Sequence, residues 1–371
     1  MGLFIKLNIM KTKRIKIPLN RTTITSKDKN YFKRLIDSIS SLNKTVEEFE
    51  QKFANYVSRK YAVATNSGTA ALHLALLSLN IRPADEVICP SYTCVALLNA
   101  INYVKARPKL IDCNFDVKKG DFNISFSDLK NEINSKTKAI IVPHMFGCSA
   151  EIDKIISLGV PVIEDATQFL GGSYCGKKSG SFGLISFFSL HSSKMITVGA
   201  GGILLTDSKE LFEKAKFFAD YESTIISQRL KEPNNYQIQY NYKISDLNAI
   251  LGISQLNQIN QFVEKRKKIA RIYSQHLKGA AEIPIFFKDN IFWRYIVRTK
   301  KDPREIIKEG LRHGIELGRG VYPSLHQYLK MDDELFPNTS KATRSLIALP
   351  IYPSLTSAEI NYLIKTVKKI L

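Results

Sequence analysis

Lys194 sits in the stretch SFFSLHSSKMITVGAGGILLT, residues 186–206, behind a run of serines and ahead of a glycine-rich loop. Lysine is costly to bury and is ordinarily a surface residue. Held in a protected cleft, its pKa falls and the free amine becomes a nucleophile towards an aldehyde. The alternative is a plain loop lysine. Ser189, five residues upstream, is placed to bind a phosphate beside such an amine, and the VGAGG that follows lets the backbone turn back into a sheet.

Three other pieces bear on that choice. In TNSGTAALHLAL, Gly68 and Thr69 precede a run of strong helix formers, so their amides and the Thr69 hydroxyl face outward at a helix N-terminus. Free amides and the helix dipole make that an anion site, although the same residues also serve as a simple N-cap. In PVIEDATQ two acids end an apolar strand, with Gln168 three residues beyond Asp165. An aspartate there either caps the next turn or holds a proton on a heteroaromatic nitrogen. In YNYKISDLNAILG, Asn241 precedes a long helix, as a capping residue or as a ligand contact. A phosphate-binding helix end, an acid for a ring nitrogen and an amine are the parts needed to hold pyridoxal 5'-phosphate, an electron sink that the protein orients.

Elements that position these pieces are legible as short apolar runs at 85–90, 108–113, 138–146, 160–167, 184–190 and 201–207, with helical patterns between the first of them. Strands alternating with helices predict an α/β fold with a mostly parallel sheet, ligands lying at the carboxyl ends of its strands. After Ile244 the pattern changes. Ser245 reads as an N-cap, and an amphipathic stretch opening with Leu247 runs towards His276. A strand pattern at 291–299, a helix at 302–315 and a last helix capped by Thr356 complete a smaller α+β domain. We expect a large domain over residues 15–250 and a small one over 251–371.

The chain has 371 residues, 44% of them hydrophobic and 24% charged, which suits a soluble two-domain protein. Its N-terminus lacks an uninterrupted apolar core, being broken by Lys6, and this Lys6 also stands where a myristoylation signal after Met1-Gly2 needs serine or threonine. Five cysteines without paired spacing read as reduced thiols. We therefore expect a cytoplasmic protein without membrane association and without a metal. The formal net charge of +20 is large, yet the lysines are dispersed and no nucleic-acid motif accompanies them. A basic surface is one explanation; steering of an anionic small substrate is the other.

In this order, SGTAALHLAL, VIEDATQ, SLHSSKMITVGAGG and NYKISDLNAILG resemble the DegT/DnrJ/EryC1/StrS family of PLP-dependent sugar aminotransferases, from about residue 46 to residue 356. The resemblance implies the aspartate aminotransferase-type fold (PLP fold type I), a large mixed, mostly parallel α/β domain with a small C-terminal α+β domain. It implies that Lys194 bonds the cofactor and moves the proton, that Asp165 keeps the pyridine nitrogen protonated, and that Gln168 contacts the ring hydroxyl. Gly68, Thr69 and Ser189 match the phosphate cup. Asn241 matches an asparagine that reaches the cofactor of a neighbouring subunit, which implies a homodimer with shared sites. The implied reaction transfers an amino group, usually from glutamate, to a nucleotide-linked keto-deoxysugar in amino-sugar biosynthesis for a surface polysaccharide or glycoconjugate.

His191 and the ITVGAGG after the lysine are nearer to the pattern of C-4 aminating members than to that of C-3 members, and His191 is either a substrate contact or a packed core histidine. Tyr322, in GRGVYPSLHQ, matches the family's C-terminal substrate loop. Departures are Cys94 where an aromatic often stacks on the cofactor ring, leaving Tyr92 as a substitute, Ala200 for the usual acid, Lys243 for an arginine and Val321 for a histidine. The glycine-proline segment common before FE is replaced by SSLNKTVEEFE, residues 40–50. Other readings are a sugar dehydratase of the same fold, which carries histidine in place of the lysine, and a non-catalytic binding protein.

Overall fold

The structure is a computed structural model that describes residues 15–36, 44–221, 237–285 and 289–371. Met1, Gly2, Lys6 and residues 40–43 of the SSLNKTVEEFE segment lie outside them. Nine strands precede residue 210: β1 (Tyr61–Thr65), β2 (Glu86–Pro90), β3 (Arg107–Ile111), β4 (Thr137–Pro143), β5 (Val162–Asp165), the hairpin β6 (Ser173–Tyr174) and β7 (Lys177–Lys178), β8 (Ile185–Ser189) and β9 (Gly202–Thr206). Seven of them form one sheet in the order β1-β9-β8-β5-β4-β2-β3. Only β9 runs against its neighbours, pairing antiparallel with β1 and β8 while the rest are parallel. This is the mixed, mostly parallel sheet of fold type I. Each of the six expected strands is present; within this sheet, β1 is the strand the apolar runs did not mark.

Helices cover both faces of this sheet, so its strands read as continuous apolar runs rather than alternating ones. Successive residues still point to opposite sides. Phe187 and Leu204 pack with Leu72, Leu76 and Leu97 on one face, whereas Phe188, Ile203 and Leu205 pack with Phe49, Phe53 and Phe169 on the other. The carboxyl ends of β1, β8, β5 and β4 and the amino end of β9 share one edge, where Thr65 and Ser189 both pair with Gly202 and Asp165 pairs with Phe187.

The amphipathic stretch after Ser245 is two helices, Asp246–Leu256 and Ile259–His276, interrupted at Asn257-Gln258. The buried Gln258 amide donates to Asp28 at 2.9 Å and to the Ser254 carbonyl at 3.1 Å, binding the N-terminal segment to the break. The first helix is continuous through position 250, and its Ala249, Ile253 and Leu256 pack in the core of Phe49 and Phe53. The change of core comes inside the second helix, between Val263 and Ile269. Ile17 also packs with this second core, bridging Ile315. Strands β10 (Tyr295–Arg298), β11 (Gly318–Arg319) and β12 (Leu346–Leu349) form the small antiparallel sheet, order β10-β12-β11. The closing helix Ser357–Ile370 starts from Thr356 in a capping box with Glu359, as its sequence predicts.

The sheet's end strand is held by a titratable group. Glu50 accepts the Ala64 N–H of β1 at 2.7 Å, and burial lifts its carboxyl to about 7. The native chain then keeps a proton that the unfolded chain releases near its ordinary pKa of 4.5, so the associated stability is full below that pH and is lost as the pH rises through about 7. Glu50→Gln keeps the acceptor and removes the titration. We expect it to gain up to about 3 kcal/mol over the wild type above neutral pH and nothing in mild acid. Denaturant melts at the two pH values check this; a gap independent of pH would count against it.

Candidate active site

Ser67 ends the turn after β1 and caps the helix Gly68–Ser78, its hydroxyl accepting the Ala70 N–H at 3.1 Å. Gly68 and Thr69 are the first helical residues, whose amides have no acceptor within a helix. A Cβ on Gly68 would stand 2.8 Å from the Ser189 Cβ, and one on Gly202 would stand 2.4 Å from the Ser67 carbonyl oxygen. Strand end and helix tip therefore meet at a distance that only glycine allows. Gly68→Ala should force Ser189 away and weaken cofactor binding by about tenfold or more, since charge-assisted hydrogen bonds to an anion depend on this spacing. Fluorescence titration of the apo-protein measures it, and an unchanged dissociation constant would refute the cup.

β5 ends in Glu164 and Asp165, and the pleat sends the two acids to opposite sides. Glu164, wholly buried, accepts the amides of Phe182 at 2.8 Å and Gly183 at 3.1 Å and lies 3.2 Å from His144 Nε2; it fastens a loop. Asp165 lines the cavity. It also caps the turn, accepting the Thr167 N–H at 3.0 Å, so both of its expected roles coexist. Burial pushes the Asp165 carboxyl up, and the Lys194 charge and the Thr167 contacts oppose that shift.

Lys194 is presented by a tight turn in which its own N–H donates to the His191 carbonyl at 2.9 Å. The loop is clamped from outside: Trp293 Nε1 donates to the Ser193 carbonyl at 3.0 Å, and the Asn248 amide donates to the Val198 carbonyl. The half-buried Lys194 Nζ donates to Thr167 Oγ1 at 3.2 Å and lies 4.7 Å from the Trp293 ring centroid. Burial lowers its pKa, Asp165 and Cys94 pull it back up, and Arg294 lowers it further. Such a placement, half-buried beside an acid, is the setting in which a lysine amine serves as a nucleophile.

A cavity of about 490 Å³ is lined by Gly68, Thr69, Asp165, Gln168, Ser189, His191 and Lys194, along with Cys94, Phe146, Thr167, Phe187, Ala200, Trp293, Arg294 and Val321. The Gln168 oxygen accepts the Phe146 N–H at 2.8 Å and its NH₂ end lies 3.8 Å from Met145 Sδ, which fixes the amide at the cavity wall. Phe146 itself has φ +55°, a left-handed conformation that a bulky residue adopts at a cost. His191 is exposed at the cavity wall, its Nδ1 accepting the Ser193 N–H at 3.3 Å, so the packed-core alternative for this residue is corrected.

The structure does not bring two sequence candidates to this wall. Asn241 is exposed beside Asn66, whose amide donates to its carbonyl at 3.2 Å. Tyr322 is 59% exposed and stacks under Arg319 at 3.7 Å, facing a separate cleft with Arg304 and Arg344. Tyr92 cannot replace the aromatic missing at Cys94: it is fully buried, and its hydroxyl accepts the Val321 N–H at 3.3 Å. The aromatic rings at the cavity are Phe146, Phe187 and Trp293.

Sequence reasoning passed over Thr167, Trp293 and Arg294. Trp293 is the chain's only tryptophan, a signal of sorts within an expected strand. It also passed over Ser91 and His326, which tie the chain around Leu325 to the end of β2. Ser91 Oγ is 2.7 Å from His326 Nδ1, and His326 Nε2 is 2.8 Å from Asp333.

The donors fit pyridoxal phosphate. A helix tip with Thr69 and Ser189 suits the phosphate, Asp165 suits a pyridinium, Gln168 suits a ring hydroxyl, and Lys194 stands between them. All five cysteines are free thiols, and among the described residues no helix is long and apolar enough to cross a membrane and no cluster of three or more metal-ligating side chains occurs.

A family model described as the DegT/DnrJ/EryC1/StrS aminotransferase family matches residues 22–368. The chain is 32% identical to a GDP-perosamine synthase of Escherichia coli O157:H7 over 365 residues, 95% of this chain and 98% of that one. It is 31% identical to a GDP-perosamine synthase of Caulobacter vibrioides, covering 93% and 95% of the two chains. Among solved structures, the aminotransferase TlmJ of Streptoalloteichus hindustanus superposes with a TM-score of 0.84 at 23% identity, covering 95% of this chain and 98% of its own. Helicobacter pylori PseC, an aminotransferase involved in pseudoaminic acid biosynthesis, gives 0.82 at 24% with the same coverage. At these identities the structural likeness speaks for the fold alone.

Proposed function

The chain belongs to the DegT/DnrJ/EryC1/StrS aminotransferase family, and is thus a PLP-dependent enzyme; from that premise we propose that it moves an amino group from glutamate to C-4 of a nucleotide-linked keto-deoxysugar. The observation that carries the reading is a pKa-depressed Lys194 amine sharing one cavity with Asp165 and a helix tip. The nucleotide-linked acceptor is supported by the GDP-sugar enzymes among the relatives. Position C-4 is supported by His191 and the ITVGAGG that follows Lys194. The product would serve a surface polysaccharide or glycoconjugate, and the reaction would take place in the cytoplasm.

Pyridoxal phosphate, when bound, supplies an aldehyde that accepts the donor's nitrogen and a ring that draws electrons from the carbon losing its proton. The protein's part is positional and electrostatic. Gly68, Thr69 and Ser189 hold the phosphate end, and the helix dipole favours its charge. Asp165 holds a proton at the ring nitrogen, whose charge would offset the burial that pushes this carboxyl up, as the Lys194 charge and the Thr167 contacts do in part. Lys194 Nζ takes the proton from one carbon and returns it to another as general base and then acid. Thr167 Oγ1 orients that amine, and Trp293 and Phe146 wall it from water.

We place Asn241 at the partner's cofactor in a homodimer, a role supported by its exposure away from its own cavity; a monomer in sedimentation would remove it. The reaction itself is tested by incubating the enzyme with glutamate and a panel of 3-keto and 4-keto nucleotide sugars, reading products by mass and NMR. A 4-amino product is expected; exclusive 3-amination would overturn the C-4 assignment, and no turnover on any of them would overturn the acceptor class.

A further inference from the structure

We propose that Arg294 is a carboxylate receptor inside the catalytic cavity, binding an acid group carried by one of the two substrates close to the nitrogen being transferred. This rests on the aminotransferase reading above. Arg294 follows Trp293 at the entry to β10, and its guanidinium lies 4.7 Å from the Trp293 ring centroid, the same distance as Lys194 Nζ. The two cations are therefore no farther apart than the sum of those contacts. Among the described residues, the guanidinium has no carboxylate within ion-pair distance and no hydrogen-bond acceptor; only its backbone N–H is engaged, with the Phe146 carbonyl. Burial lowers its pKa to about 10, with Glu316 acting weakly against that shift. Arg266 adds a desolvated guanidinium behind Trp293, donating to the Trp293 carbonyl at 3.2 Å. Arg294 is half-buried, so its unpartnered guanidinium faces the open cavity and presents a planar fork suited to a carboxylate.

Connectivity selects the anion. In an α-amino acid the carboxyl carbon is two bonds from the reacting nitrogen. In a 4-keto sugar acid the C-6 carboxyl carbon is two bonds from the carbon that receives the nitrogen. The diphosphate of a nucleotide sugar, attached at C-1, is farther from C-4 than either. The anion nearest Lys194 is accordingly a carboxylate, from the donor or from an oxidised acceptor.

Arg294→Met in the holoenzyme separates the sources when the half-reactions are followed apart by rapid-mixing absorbance. If the donor's carboxylate is bound, the apparent affinity for glutamate falls about 10- to 100-fold, as for removing one side of a desolvated charge pair, while the amine-form enzyme reacts with keto-sugars as before. If the acceptor's is bound, the same loss appears only with a nucleotide 4-keto sugar acid and not with the neutral 4-keto-6-deoxy sugar. Calorimetric binding of glutarate, an unreactive dicarboxylate, gives a readout independent of turnover, and Arg294→Lys should restore part of it. The proposal is overturned by wild-type behaviour with every carboxylate, by equal loss in both half-reactions, or by loss with the neutral sugar alone. Failure of wild-type enzyme on all keto-sugars would instead strike the acceptor reading and leave the glutamate arm readable.

Discussion

The Lys194→Ala variant folds with a stability within about 1 kcal/mol of the wild type and loses transamination by roughly 10⁴-fold or more. Its fold survives because Lys194 Nζ makes one hydrogen bond, to Thr167 Oγ1, and desolvation works against the charge it carries. The turn that presents it is held by backbone and by neighbours: His191 carbonyl, Trp293 Nε1 and the Asn248 amide. What disappears is the one amine of depressed pKa at the centre of the cavity. Single-turnover absorbance after mixing with glutamate measures the loss. Borohydride treatment supplies a second readout, because the wild type should retain cofactor through dialysis afterwards and the variant should not. Partial rescue by a small primary amine would separate a missing proton carrier from a distorted site. Turnover near the wild-type rate would refute the assignment of Lys194.

Asp165→Asn is the second large effect, and a subtler one. Asparagine preserves the acceptor for the Thr167 N–H, so the turn after β5 should stay as it is. The cofactor should remain bound through Gly68, Thr69 and Ser189. The negative charge facing the ring nitrogen is lost, and the proton shift should slow by roughly 10² to 10⁴-fold, the scale of a removed preorganised electrostatic contact and its proton. A pH signature accompanies it. The Asp165 carboxylate raises the Lys194 pKa, so its removal lowers that pKa and moves the associated limb of the pH–rate profile to lower pH. A limb moving upward, or single turnovers at wild-type rate, would count against this role.

Both variants concern residues that the sequence singled out, and the reason is local. Asp165 ends an apolar strand, and Gly68 and Thr69 open a helix whose start is written in Ser67 and the alanine–leucine run behind it. Ser189 and Lys194 flank a turn between two strands. Chemistry set at the ends of regular elements is readable from spacing, because strands and helices have fixed periods. The same periods mark the six apolar runs as strands and Thr356 as a helix cap. They do not mark the interruption at Asn257-Gln258, where a buried side-chain network reaches Asp28.

What the amino-acid order determined by itself was the layered α/β fold, the family, and the amine, acid and anion site that family chemistry requires. Tertiary structure alone decided that Tyr92 is spent on Val321 and that Trp293 and Arg294 stand beside Lys194. It also decided that Asn241 and Tyr322 lie off the wall of their own cavity. Each of those depends on contacts between residues far apart in the chain, across the interface of two cores, and no periodicity within one element encodes such a meeting.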